Sequence, residues 1–87
     1  MIVFDFMGHM VSTTSSMELH DFAARLGLKM KWYQTPEKMP NMHPEWHDHY
    51  DLTTFQMRTK AKKWGAKEVT PKELLKLAWW NRRKRET

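Results

Sequence analysis

Ile2-Val3-Phe4-Asp5-Phe6 opens the chain with β-branched and aromatic residues that do not alternate cleanly between apolar and polar. Such a run fits a strand buried on both faces, as in parallel sheets. The next residues decide how that strand is paired. Gly8 to Ser16 reads as a loop, because Gly8 and the run Ser12-Thr13-Thr14-Ser15-Ser16 favour turns and caps. A helix over 16–26 follows, with Ser15 and Glu18 at capping-box spacing and Gly27 as its C-terminal stop. Leu19, Phe22, Ala23 and Leu26 recur at helical spacing and form its core stripe.

Further along, Leu28 to Tyr33 is expected as a second strand. Thr35 to Pro44 is a loop, since Pro36, Pro40 and Pro44 block regular structure, and its length suggests a lid or binding loop. Thr53 or Thr54 caps a second helix near 54–64, with Met57, Ala61 and Trp64 inward, and Gly65 ends it. Ala66 to Val69 is a short third strand. Thr70-Pro71-Lys72-Glu73 combines a cap, a first-position proline and a returning glutamate, and starts a last helix over 71–84. Leu74, Leu77 and Ala78 face inward there, and of Trp79 and Trp80 one is expected partly exposed. The order β-α-β-α-β-α predicts an α/β fold: a small three-stranded parallel sheet with helices packed on it and right-handed crossovers.

Composition bounds the answer. Eighty-seven residues make one small domain, taken as 1–81, with a basic C-terminal tail at 82–87. The absence of cysteine excludes disulfides and thiolate zinc sites. No apolar run is long enough to cross a bilayer, and Met1 to Met7 carries Asp5 and lacks a basic start, unlike a signal peptide. A soluble cytoplasmic protein with no membrane partner is the expectation. Residues 1–57 carry a net charge of −3 and residues 58–87 a net of +8. Lys60, Lys62, Lys63, Arg82, Arg83, Lys84 and Arg85 could meet nucleic acid, although a solvated helix face and a basic tail explain them equally simply.

The chemistry concentrates in His47-Asp48-His49-Tyr50-Asp51. A segment this polar belongs on a solvated loop or at the rim of a site, because buried charge must be paired. Ligands of open α/β sheets sit outside the C-terminal ends of the strands. That edge would collect Asp5, His9, Ser12, Thr13, His49, Tyr50 and Asp51, with His20 on the first helix. Neutral imidazoles and Asp carboxylates suit zinc, manganese or iron, which makes His9, His20, His49 and Asp51 candidate ligands for a divalent metal. Asp5 could be a ligand or general base, or simply an acceptor for loop N–H groups. The Ser/Thr run before the first helix could hold an anion, though no phosphate-loop motif is present. Trp32, Trp46, Trp79 and Trp80 could stack bases beside cations, but tryptophans and methionines serve more often as core.

These motifs resemble a small family of bacterial and phage proteins, domain of unknown function 4031. The resemblance rests on Ile2 to Asp5, Gly8-His9-Met10-Val11-Ser12, Glu18-Leu19-His20-Asp21-Phe22-Ala23, His49-Tyr50-Asp51-Leu52 and Gly65-Ala66, and spans roughly residues 1–77. It implies a compact α/β domain whose recurring polar residues are His9, His20, His49, Tyr50 and Asp51, and it implies no reaction. The family usually carries an aspartate near the position of Thr13, which this chain lacks. If phage-encoded, the protein would act in the host cytoplasm.

Three functions compete on the sequence. One is a polar His/Asp site for a phosphate-bearing or nucleotide-like ligand, with or without a metal. The second is a basic nucleic-acid-binding accessory protein. The third is a protein-interaction module that occupies a host target or joins a larger assembly. No nucleophile, base and stabiliser stand at readable spacing, so the sequence does not settle whether the protein is an enzyme.

Overall fold

A computed structural model describes residues 1–35 and 49–77. Strands Ile2–Phe4 (β1) and His9–Ser12 (β2) lead into helix Ser16–Leu26 (α1). A single 3-10 turn, Met30–Trp32, follows. Strand Tyr50–Asp51 (β3), helix Phe55–Lys63 (α2), strand Lys67–Glu68 (β4) and helix Pro71–Leu77 (α3) complete the described chain.

The sheet has four strands in the order β3-β2-β1-β4 and is mixed, which corrects the expectation of three parallel strands. β1 pairs antiparallel with β2, with Val3 opposite Val11, and β2 pairs antiparallel with β3, with His9 opposite Asp51. Only β4 runs parallel to β1 among the described strands. The error lay in the segment after β1. His9-Met10-Val11-Ser12 is a strand, and its flanking turn formers disguised it as part of a loop. Met10, Val11 and Ser12 are all buried, so β2 shows no alternation either.

The turn joining the two strands is built by Asp5 and Gly8. Gly8 N–H donates to the Asp5 carbonyl at 2.9 Å, and Asp5 N–H donates to the His9 carbonyl at 3.1 Å. Gly8 has φ +92°, and a Cβ on it would lie 2.5 Å from the Leu52 carbonyl oxygen, so both conformation and space require glycine. Phe6, expected as the end of a strand, is instead 66% exposed on this turn.

The expected strand over 28–33 is not formed. β2 takes the place beside β1 and β3 the place beside β2, so no central position is left for it. Leu28 is buried, but Met30 and Trp32 are exposed on the 3-10 turn. Gln34 alone joins the sheet, as an antiparallel bridge to His49.

The helices agree better with expectation. Ser15 caps α1 by accepting from Glu18 N–H, and Gly27 closes it in the left-handed conformation. Leu19, Phe22, Ala23 and Leu26 are all buried. The returning half of the capping box is not made: Glu18 turns its carboxylate to Ser12, Thr14 and the N-terminal ammonium. Thr54 caps α2. Ala61 is buried and Met57 half-buried, but Trp64 is exposed beneath Lys60 and Arg25, whose charges stand 4.9 and 5.6 Å from its ring centre. Thr70 accepts from Glu73 N–H at the start of α3. Leu74 is buried, whereas Leu77 is 37% exposed. Pro36, Pro40, Pro44, Trp46, His47, Asp48, Ala78, Trp79, Trp80 and the tail 82–87 lie outside the described residues.

Among the described residues, the two faces of the sheet carry apolar clusters of unequal size. Ile2, Phe4, Met10, Tyr50 and Leu52 pack against α1, Leu28, Ala61 and Ala66 in the main core. On the other face Val3 and Val11 meet Leu74 and Val69 in a much smaller cluster. Side chains alternate along a strand, so Asp5 follows Val3 on this second face, His9 precedes Val11 there, and Asp51 stands opposite His9. The apolar cluster therefore continues sideways into a polar one.

Candidate metal centre

The polar cluster is assembled by the β1–β2 turn and the β2–β3 pairing. Asp5 is 1% exposed and fully committed to local contacts. One carboxylate oxygen accepts from the N–H groups of Met7 and His9, both at 3.0 Å. The other lies 3.0 Å from His9 Nδ1. An ionised carboxylate only accepts, so this contact places a proton on Nδ1 and, in the neutral ring, the lone pair on Nε2. Asp5 thus both shapes the turn and orients His9.

His49 is buried and its Nε2 lies 3.2 Å from Asp51 Oδ1. Its ring meets that of His9 edge to face, with centroids 5.0 Å apart. Gln34 Nε2 donates to the second oxygen of Asp51, so both carboxylate oxygens are held. The hydrogen bond from His49 outweighs burial and keeps the Asp51 carboxyl below the usual range, with the charges of His49 and His9 and the Gln34 contact adding to it. His9, His49 and Asp51 each present a donor atom, and the three atoms lie within 4.8 Å of one another.

The other expected site residues divide into two groups away from this trio. Tyr50 points to the main core, where its hydroxyl lies 2.7 Å from His20 Nδ1 and its ring packs beside Tyr33. Burial pushes the Tyr50 phenol up, so it stays protonated beside the imidazole. His20 also meets the Tyr33 ring, at 4.5 Å between centroids. Ser12, Thr13 and the residues after them belong to the entry of α1. Ser12 Oγ accepts from the N–H groups of Thr14 and Ser15 and donates to Glu18 at 2.6 Å. Thr13 N–H donates to the Met1 carbonyl. The N-terminal ammonium, then Ser12, hold the Glu18 carboxyl below its ordinary range. The Ser12 and Thr14 hydroxyls thus serve a carboxylate of the chain itself.

Gln34 was not anticipated. Nothing in its neighbourhood marks it, and its role depends on a bridge to His49 that closes across the residues between them. Of the expected nucleic-acid residues, Lys60 donates to the Leu26 carbonyl at 3.3 Å and Lys62 lies 3.4 Å from Glu68. Lys63 is exposed at the end of α2, and Arg82, Arg83, Lys84 and Arg85 lie outside the described residues.

No described helix is long and apolar enough to cross a membrane. No curated protein and no solved structure matches the chain. A family profile does match, over residues 3–80, and covers the opening strand, the histidine-bearing hairpin, α1 and the His49-Tyr50-Asp51 strand. The chain belongs to the family described as protein of unknown function, DUF4031.

Proposed function

We propose that His9, His49 and Asp51 hold a divalent first-row transition metal, and that the metal binds a small phosphate-bearing ligand. The carrying observation is that one donor atom from each of these residues lies within 4.8 Å of the other two. Two imidazoles and one carboxylate suit zinc, manganese or iron and leave coordination positions for further oxygen ligands. The surroundings support this reading. Asp5 stands behind His9 as carboxylates commonly stand behind metal-bound histidines, fixing the tautomer that leaves the Nε2 lone pair on the side of the ring away from Asp5. Gln34 likewise steadies Asp51 from outside the trio.

When bound, such a metal supplies a Lewis acid for phosphate oxygens. The chain's own residues supply the charge balance and the orientation: one anionic carboxylate on Asp51, and a second on Asp5 that the metal does not need to touch. Without metal, the His49–Asp51 contact holds two of the three ligands.

The test is elemental analysis of untagged protein after incubation with zinc, manganese or iron and removal of excess. About one ion per chain is expected in the wild type, and a small fraction of that in His9→Ala and in Asp51→Asn, with circular dichroism unchanged. Wild-type protein without metal, or variants that keep it, would overturn the proposal.

A further inference from the structure

Positive charge is not spread evenly over the fold. Residues 58–77 hold seven Lys/Arg and two acids, Glu68 and Glu73. Three of those cations are already engaged. Arg58 donates to the Leu52 carbonyl, Lys60 donates to the Leu26 carbonyl, and Lys62 lies 3.4 Å from Glu68. Lys67, Lys72 and Lys76 are exposed and have no hydrogen-bond or ion-pair partner among the described residues.

The fold gathers these three lysines on one side of the sheet. Lys67 stands in register with Val3, whose side chain lies in the second apolar cluster, so Lys67 shares that face at β4. Its neighbours agree: Ala66 belongs to the main core and Val69 packs in the second cluster. α3 covers the same face through Leu74. Lys72 and Lys76 are four residues apart, on the side of α3 away from Leu74. Glu68 alternates to the other face, where it meets Lys62, and Glu73 accepts from the Thr70 hydroxyl at 3.3 Å. On this side β4 and α3 therefore present three ammonium groups and one carboxylate.

We infer that this surface binds the phosphate backbone of a duplex nucleic acid without regard to sequence. An ammonium group only donates, and a phosphate backbone offers each one an acceptor while releasing condensed counterions. A single strand is held in addition by aromatic rings on which its bases stack. β4 and α3 carry no aromatic residue, and the ring of Trp64 on α2 has Lys60 and Arg25 over it. The charge complementarity therefore suits a duplex read by its phosphates alone. The inference goes beyond the metal centre and uses none of its residues.

The full chain would be titrated into a fluorescent DNA duplex, with binding followed by anisotropy between about 50 and 200 mM salt. Affinity is expected to fall at least about ten-fold across that range. The triple variant Lys67→Gln, Lys72→Gln, Lys76→Gln should lose about ten-fold or more at the low-salt end, and its salt slope should be shallower by about 2–3. A control with the same charge change on other elements, Lys29→Gln, Lys31→Gln, Lys63→Gln, should keep most of the affinity and the slope. No binding at low salt, or equal losses in the two triple variants, would overturn the inference. So would binding to poly-glutamate or to phosphatidylserine vesicles as tight as to the duplex, because the surface would then answer to an acidic protein or a membrane equally well.

Discussion

The two faces of one sheet carry different burdens. The face under α1 buries Ile2, Phe4, Met10, Tyr50 and Leu52 in a continuous core with Leu19, Phe22, Ala23 and Leu26. Among the described residues, the opposite face has only Val3, Val11 and Leu74 fully buried in its apolar cluster, and then gives way to Asp5, His9, His49 and Asp51. A small domain has little apolar surface to spare. Concentrating it on one face releases the other for polar groups, provided that each is hydrogen-bonded. That condition is met: among the described residues, no buried side-chain nitrogen or oxygen lacks a partner. Stability on one face and chemistry on the other should therefore respond separately to mutation.

The sharpest way to break this contrast is to empty the main core. Phe4→Ala removes a 1%-exposed aromatic ring, and we expect it to cost about 3–5 kcal/mol in urea unfolding. Metal bound per folded molecule should not change. Equal losses of stability and of metal affinity within the folded fraction would show that the two faces are not separable.

The hairpin turn links the faces, so Gly8→Ala should disturb both. The new Cβ meets the Leu52 carbonyl oxygen, and the residue must hold a positive φ. A loss of about 1–3 kcal/mol is expected by thermal unfolding, accompanied by weaker metal binding because His9 leaves the turn one residue later. A variant as stable as the wild type would remove the turn from the account.

Asp5→Asn sharpens the comparison further, because it preserves size. The amide oxygen can still accept from the Met7 and His9 N–H groups, but its NH₂ cannot accept from His9 Nδ1. Metal affinity should fall by about 10- to 100-fold, the usual effect of losing a carboxylate behind a metal-bound histidine. Retained affinity, measured by competition with a chelator, would make Asp5 a turn residue only.

Much of this arrangement was legible in the sequence where the signals were local. Ser15, Glu18 and Gly27 bounded α1, Thr54 opened α2, and Thr70-Pro71 opened α3, because caps act within a turn of the chain. Pairing was not legible. β1 and β2 are both buried on two faces, so neither shows the alternation that separates a hairpin strand from a loop or from a parallel strand. The same misreading placed the polar residues at a parallel sheet edge, whereas a hairpin and a neighbouring strand bring His9, His49 and Asp51 together. His9 and Asp51 meet as cross-strand partners, and their spacing of forty-two residues gives no hint of that register. His20 and Tyr50 were grouped with the trio by composition, but Tyr50 alternates to the other face and takes His20 with it.

The smallest effect is the contribution of Asp51 to folding without metal. Its carboxyl lies below the usual range in the folded protein, so its stabilisation is present above about pH 4, where the unfolded side chain ionises, and disappears as the pH falls through the lower folded value. The side chain is partly exposed, so Asp51→Asn should shift the urea midpoint only slightly at pH 7, and by less as the pH falls below about 4. A shift that grows on acidification would contradict the assigned sign. Metal uptake by the wild type should also weaken in acid, because binding displaces protons from its ligands.

The most direct measurement is X-ray absorption spectroscopy of the zinc-loaded protein. The account predicts a first shell with two imidazole nitrogens at about 2.0–2.1 Å and a carboxylate oxygen at about 2.0–2.2 Å. A shell of oxygens alone, or one with a single imidazole, would contradict a metal centre formed by His9, His49 and Asp51.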